Sequence, residues 1–204
     1  MKVSNVFAAA AVMLLGAQAA RAQVSGLPFY PTPTGTGVMA SAEYADPDRA
    51  GKLVALRAGA GLGPLGATAL VGQFRASGGN QNVFGASVAM KLFGGGLLPV
   101  SIAAQAGLGQ VKFDSAGSTR TRTAMPVGAV VRANVPLLPL KPFAVGYYML
   151  GTNVKNEFRA TIGADFNLLL GLGFHAAYDI GTASGSGKTW GVGAHFNFRL
   201  PIPL

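Results

Sequence analysis

Three consecutive segments near the end of the chain alternate between apolar side chains and polar or small ones. In 157–168, 170–181 and 189–200 the even positions are apolar, and the odd positions are polar, glycine or alanine. A period of two places successive side chains on opposite faces of a β-strand. Weaker alternation predicts seven further strands, at 37–45, 52–61, 65–75, 82–93, 99–113, 126–135 and 142–151. We therefore predict an all-β fold of about ten strands, or eight if 37–45 and 65–75 are not strands.

The connections between these strands are of two kinds, which alternate along the chain. Polar connections lie at 46–51, 77–81, 114–125, 152–156 and 182–187, and short apolar ones at 62–64, 94–98, 136–141 and 168–169. In an antiparallel meander, successive connections lie at opposite ends of the strands. The alternation therefore predicts an up-and-down meander with both chain ends at the apolar-turn end.

The composition of the polar face favours a membrane barrel over a soluble sandwich, which is the alternative. Only 11% of the residues are charged, whereas soluble domains have about 25%. Aromatic residues also stand near both strand ends, as in the interfacial girdles of membrane barrels. Those expected at the interfaces include Tyr44, Phe74, Phe158, Tyr178 and Trp190 at the polar-loop end, and Phe143, Phe166 and Phe198 at the other end. The sequence therefore predicts a transmembrane β-barrel over 37–200.

The first 22 residues have the features of a secretory signal peptide. Lys2 is followed by an apolar run at 7–15 and by a small-residue cleavage site at 20–22. The alternative is an N-terminal anchor helix. Residues 23–36 contain Pro28, Pro31 and Pro33, so we expect a proline-rich, extended lead-in before the barrel. Residues 201–204 form a short C-terminal tail.

Two glycine-rich stretches have similarities to nucleotide-binding motifs, but neither fits. The stretch 61–66 contains Pro64 and precedes a strand, although a dinucleotide site opens a helix. At 185–189, a phosphate loop would need a glycine or alanine at position 182, where the chain has Thr182. We therefore expect no cofactor. No metal site is predicted either, and the absence of cysteine excludes thiolate ligands.

Ten polar residues are predicted to face the lumen of the barrel, where buried charges must be paired or hydrated. They are Glu43, Arg57, Lys91, Arg132, Arg159, Asp165, His175, Asp179, His195 and Arg199. The main interpretation is an internal salt-bridge network that plugs the barrel. The alternative is a narrow pore with a weak anion preference, because the cations outnumber the acids. His175 and His195 lie on neighbouring strands and could approach each other, but no local motif indicates a catalytic residue.

The pattern over 37–200 resembles the small bacterial outer-membrane β-barrels, the OmpA-like and porin-like group. The strand at 190–198 resembles the aromatic-rich terminal strand that barrel assembly machinery recognises, although 199–204 follow it. The resemblance implies an outer-membrane location and contact with outer-membrane lipid and lipopolysaccharide. It implies a non-enzymatic structural or surface-interaction role. The alternatives are a small-solute channel and, second, a lipid- or peptide-modifying enzyme. The basic residues are dispersed, so no nucleic-acid partner is expected.

Overall fold

The chain folds into ten antiparallel strands that follow one another around a closed barrel. The computed structural model describes residues 27–48, 51–76, 79–94, 98–115, 118–134, 139–152, 154, 156–183 and 186–199. The strands are β1 Gly37–Pro47, β2 Lys52–Leu62, β3 Leu65–Ala76, β4 Gly79–Gly94, β5 Val100–Ser115, β6 Ser118–Ala133, β7 Leu140–Thr152, β8 Glu157–Asn167, β9 Leu172–Gly181 and β10 Thr189–Arg199.

Each strand pairs with its neighbours in sequence, and β10 pairs with β1 to close the barrel. The closing register places Ser41 beside His195 and Glu43 beside Gly193. This topology confirms the predicted up-and-down meander of ten strands, and the eight-strand alternative is wrong. Closure leaves no unpaired sheet edge, as a lipid environment requires.

The prediction of a long polar loop at 114–125 is wrong. Strands β5 and β6 continue as a paired hairpin to Ser115 and Ser118, with Phe113 opposite Arg120. Apolar alternation stops where a strand leaves its apolar surroundings, whereas backbone pairing needs no apolar side chain. The pattern therefore ended before the strands did.

The outer wall of the barrel is apolar over most of its height. Leu56 and Ile162 are 63% and 62% exposed, and many large apolar side chains on the other strands share this outward face. A contiguous apolar belt of this extent is unfavourable in water and suits contact with lipid. Within the described ranges, no helix is long and apolar enough to cross a membrane. A single 3-10 turn at Leu169–Gly171 joins β8 to β9.

Two aromatic residues expected at the interfaces lie inside the barrel instead. Phe74 and Phe143 are buried. Phe143 packs against the lead-in, with its ring centroid 6.5 Å from that of Tyr30. Both residues sit on the inward parity of their strands, and that parity decides which way a strand side chain points.

Candidate functional site

The described part of the lead-in, residues 27–36, lies inside the barrel. Leu27, Pro28, Phe29, Tyr30 and Thr32 are all buried. The Phe29 amide donates to Thr161 Oγ1 on β8 at 3.1 Å. The Thr32 amide donates to Gln105 Oε1 on β5 at 2.9 Å. Because these partners belong to well-separated parts of the wall, the segment that reaches both must occupy the lumen.

Rings and hydroxyl groups of the wall hold the lead-in from several sides. Phe29 packs edge-on against Tyr147 of β7, with ring centroids 4.9 Å apart. The guanidinium of Arg57 lies over the Tyr30 ring, 4.8 Å from its centroid, in a cation–π arrangement. The hydroxyls of Thr32 and Ser87 are 2.5 Å apart. The apolar rings are thus buried, and the backbone polar groups find partners on the wall.

Glycines in the wall make room for the lead-in. A Cβ atom at Gly66 of β3 would overlap the carbonyl oxygen of Pro33. A Cβ atom at Gly191 of β10 would lie 2.6 Å from the Tyr30 hydroxyl and 2.9 Å from Cδ of Pro28. At both positions a larger residue would compete with the lead-in for the same space.

These contacts also give the direction of the lead-in. Pro33 lies near Gly66, beside the β2–β3 turn at the end of the barrel where β1 begins. Pro28 lies near Gly191, two residues after the start of β10, at the opposite end. Residues 28–33 therefore extend along the lumen and run antiparallel to β1.

One polar cluster lies where β1 and β10 close the barrel. Glu43 accepts a 2.6 Å hydrogen bond from Ser41 and is bridged to Arg57 at 2.9 Å through the same oxygen, Oε1. Its other oxygen, Oε2, lies 2.5 Å from Nε2 of His175. His175 and His195 stack with their Nδ1 atoms 3.1 Å apart. The two histidines do approach each other, as neighbouring strands permit.

Asp165 of β8 completes this arrangement on the far side of the histidines. It is paired with Arg132 at 3.2 Å, and the two side chains are 18% and 26% exposed. One ligand atom each of Asp165, His175 and His195 lies within 4.8 Å of the other two. These three residues could therefore provide two imidazoles and one carboxylate to a metal ion.

A second polar cluster lies nearer the polar-loop end. Arg159 of β8 pairs with both Asp179 and Glu157. Asp179 Oδ2 accepts hydrogen bonds from the Tyr147 hydroxyl at 2.6 Å and from the Thr161 hydroxyl at 2.5 Å. Since nearly every buried group here has a partner, the cluster ties β7, β8 and β9 together in the interior.

The structure brings most of the predicted lumen residues into these two clusters, with two exceptions. Lys91 instead lines a small cavity beside Thr32, Ser101 and Arg132. The side chain of Arg199 lies outside the described residues.

Sequence reasoning missed Tyr147, Thr161 and Gln105, although all three have inward parity. It predicted the lead-in but missed its position inside the lumen. The adjacent aromatics Phe29 and Tyr30 were the available signal, because such a pair is unusual in a hydrated linker.

Apart from Phe74 and Phe143, the six other aromatic residues named above for the interfaces have outward positions in the barrel. Trp190 stacks obliquely on Tyr44, with ring centroids 5.5 Å apart, near the polar-loop end. The other four, which are exposed on the outer wall, are Phe158, Phe166, Tyr178 and Phe198. Their placement at the membrane interfaces stays a prediction.

The histidine cluster does not have the arrangement of a hydrolase relay. Ser41 donates its hydroxyl proton to Glu43 rather than to a histidine. A serine nucleophile needs its base within hydrogen-bond reach of the hydroxyl. The cluster therefore holds charges and protons in place without activating Ser41.

Comparison with known proteins connects the chain to barrels by fold. No protein-family model matches the chain, and no curated protein does. The KdgM porin matches with a TM-score of 0.53 over 79% of this chain and 99% of the porin, at 11% identity. The β domain of the Bordetella autotransporter BrkA matches with a TM-score of 0.49 over 80% and 99%, at 11% identity.

The N-terminal β-barrel domain of Pseudomonas aeruginosa OprF also matches, with a TM-score of 0.45 over 81% of this chain and all of the domain, at 14% identity. At such low identity the similarity to the KdgM porin shows the barrel fold alone. The chain thus has the architecture of outer-membrane β-barrels.

Proposed function

We propose that this chain is an exported, non-enzymatic outer-membrane β-barrel with a structural or surface-interaction role, and that its lumen is closed to solutes. The position of the lead-in supports this proposal best. Phe29 is fully buried between the walls, and hydrogen bonds from Phe29 and Thr32 join the segment to β8 and β5. A lumen occupied in this way has little room for a solute path.

The proposed membrane location rests on the outer wall. Its apolar belt includes Leu56, Val127 and Ile162, whose side chains are exposed on the outside of the barrel. The polar connections all lie at one end of the meander. In outer-membrane barrels the longer polar loops face outward and the short turns face the periplasm. We orient this barrel in the same way.

The charge arrangement favours a plugged barrel over an anion-preferring pore. Among the described side chains, three buried or half-buried arginines of the lumen have carboxylate partners: Arg57 has Glu43, Arg132 has Asp165, and Arg159 has Asp179 and Glu157. A paired cation attracts a mobile anion much less than an unpaired one. The similarity to the KdgM porin supports the fold and does not assign conduction to this chain.

Planar-bilayer recording tests the proposal. The purified full chain is expected to give no conductance steps, whereas a variant lacking residues 27–36 is expected to give them. Both proteins must first show heat-modifiable gel migration, which demonstrates a folded barrel. Steps of similar size from both proteins would overturn the closed-lumen proposal. If the deletion variant does not fold, Gly66→Ala serves in its place, because it is aimed at the same segment.

Two partners are proposed with this location. Lys52, Arg75 and Lys188 are exposed at the polar-loop end, and cations there could bind lipopolysaccharide phosphates. The aromatic strand at 190–198 would be read by the barrel assembly machinery. Replacing the three cations together with glutamine is expected to weaken binding to lipopolysaccharide micelles without changing heat-modifiable migration. Unchanged binding would remove the lipopolysaccharide proposal.

A further inference from the structure

We propose that Asp165, His175 and His195 form a binding site for a divalent transition-metal ion, with zinc as the ion that fits the ligand set. The three side chains come from β8, β9 and β10 and meet inside the barrel. The chain has two histidines and no cysteine, so this cluster is where an imidazole-dependent site must be. The inference does not depend on whether the lumen conducts.

The spacing of the histidines matches two ligands of one ion. Their Nδ1 atoms are 3.1 Å apart. Zinc–nitrogen bonds are about 2.0–2.1 Å long, so two nitrogens in a tetrahedral site lie roughly 3.3 Å apart. The side chain of His195 is buried, and within the described residues its Nε2 atom has no hydrogen-bond partner. A neutral imidazole that carries its proton on Nε2 presents the lone pair of Nδ1, so His195 can offer an ion the same nitrogen that His175 offers.

The surroundings of His175 are those of a metal ligand. Its Nε2 atom lies 2.5 Å from the Glu43 carboxylate, which leaves Nδ1 directed at His195. A carboxylate on the outer nitrogen fixes the tautomer and the ring orientation of many metal-binding histidines. Glu43 is itself held by Ser41 and Arg57 through its other oxygen. The ligand is thus oriented before any ion arrives.

The third ligand is available at modest cost. Asp165 must approach the histidines more closely than in the present arrangement, because its oxygen is separated from their nitrogens by up to 4.8 Å. Its present partner is Arg132, and that pair is partly exposed. Because water reaches this pair, it can solvate Arg132 when the Asp165 carboxylate turns toward an ion. Two imidazoles and one carboxylate leave further positions for water.

Direct titration tests the proposal. Chain refolded in detergent without a histidine tag is titrated with ZnCl2 in a calorimeter, and one ion per chain is expected to bind. His175→Ala and His195→Ala are expected to abolish binding, and Glu43→Gln to weaken it by about 10–100-fold. Asp48→Asn, which removes an exposed acid from the β1–β2 turn, is the matched control and is expected to bind like the parent.

A second measurement covers variants that fold poorly. His195→Gln keeps a polar side chain of similar size, and zinc should raise the heat-modification temperature of the parent but not of this variant. Absence of zinc binding by the folded parent would overturn the proposal. Undiminished binding by both histidine variants would overturn it as well, because the zinc would then be bound elsewhere on the chain.

Discussion

The backbone amide of Phe29 donates a 3.1 Å hydrogen bond to the Thr161 hydroxyl on the inner wall of β8. The Thr161 hydroxyl donates a hydrogen bond of 2.5 Å to Asp179, and Asp179 is paired with Arg159. The lead-in is therefore part of the buried polar network rather than a loose filler of the lumen. Removing the lead-in would leave Thr161 and its neighbours with unsatisfied hydrogen-bonding capacity.

Phe29→Ala is expected to release the lead-in from the lumen. Phe29 is fully buried, and burial of a phenylalanine ring is worth about 3–5 kcal/mol in alanine substitutions. Because the chain has no cysteine, Thr32→Cys provides a single labelling site on the same segment. Maleimide should label the Thr32→Cys, Phe29→Ala double variant at least about tenfold faster than the Thr32→Cys variant. A loss of about 1.4 kcal/mol already raises the population of the released lead-in tenfold.

Phe198→Ala is the control for this labelling experiment. Phe198 is half exposed on the outer wall, so its loss removes an aromatic ring without touching the lead-in. Labelling at position 32 should therefore stay slow in this variant. Equal acceleration by Phe29→Ala and Phe198→Ala would show that the reagent reports general loosening of the barrel, and the proposed anchoring role of Phe29 would be wrong.

Gly66→Ala is expected to displace the lead-in through a backbone clash. The added Cβ atom would overlap the Pro33 carbonyl oxygen, and a backbone atom cannot rotate away as a flexible side chain can. Conductance should appear in planar bilayers while heat-modifiable migration persists. Gly187→Ala is the matched control, because its added Cβ atom would have only an ordinary 3.7 Å contact with the Asp48 carbonyl oxygen. Absence of conductance steps from a folded Gly66→Ala variant would contradict the expectation.

Most of the fold could be predicted from side-chain periodicity, and the errors lie where periodicity stops. The apolar alternation located all ten strands because one face of each strand contacts a continuous apolar surrounding. It failed at the β5–β6 hairpin, where pairing continues to Ser115 and Ser118 beyond the apolar band. Strand existence thus followed from the sequence, whereas the strand ends depended on backbone hydrogen bonds that leave no apolar pattern.

The candidate site could be predicted only in part. Inward parity on neighbouring strands predicted that His175 and His195 could meet, and their Nδ1 atoms are 3.1 Å apart. The lead-in could not be located in the same way, because a proline-rich segment has no period that indicates a partner. The wall residues that contact the lead-in, such as Gly66, Gln105 and Gly191, are far apart in the sequence. That complementarity exists only in three dimensions, after the barrel has closed.

The two arginine–carboxylate pairs at the histidine cluster should differ in their contribution to stability. Arg57 and Glu43 have side chains 9% and 0% exposed, so Arg57→Met leaves a buried carboxylate without its cation and is expected to cost about 3–5 kcal/mol. Arg132 and Asp165 are 26% and 18% exposed, so water can partly solvate the carboxylate that Arg132→Met leaves behind, and this substitution should cost clearly less. Urea unfolding of the barrel in lipid vesicles measures both free energies.

A second substitution tests the cause of that difference. Adding Glu43→Gln to Arg57→Met removes the unpaired charge and should recover part of the lost stability. Equal losses from Arg57→Met and Arg132→Met would contradict the assignment of the Arg57–Glu43 pair as the desolvated one. No recovery in the double variant would show instead that the lost packing of Arg57 on the Tyr30 ring dominates the effect.

The single tryptophan of the chain tests the membrane placement directly. Trp190 is 44% exposed on the outer wall near the polar-loop end, so its fluorescence should be quenched by lipids brominated near the headgroup. Ala194 also faces outward, four residues further along β10, or about 13 Å along the strand at 3.3 Å per residue. In a Trp190→Phe, Ala194→Trp variant the strongest quenching should therefore move to lipids brominated deeper in the chain. Identical depth profiles for the two proteins, or quenching by aqueous acrylamide alone, would contradict a barrel that spans the bilayer along β10.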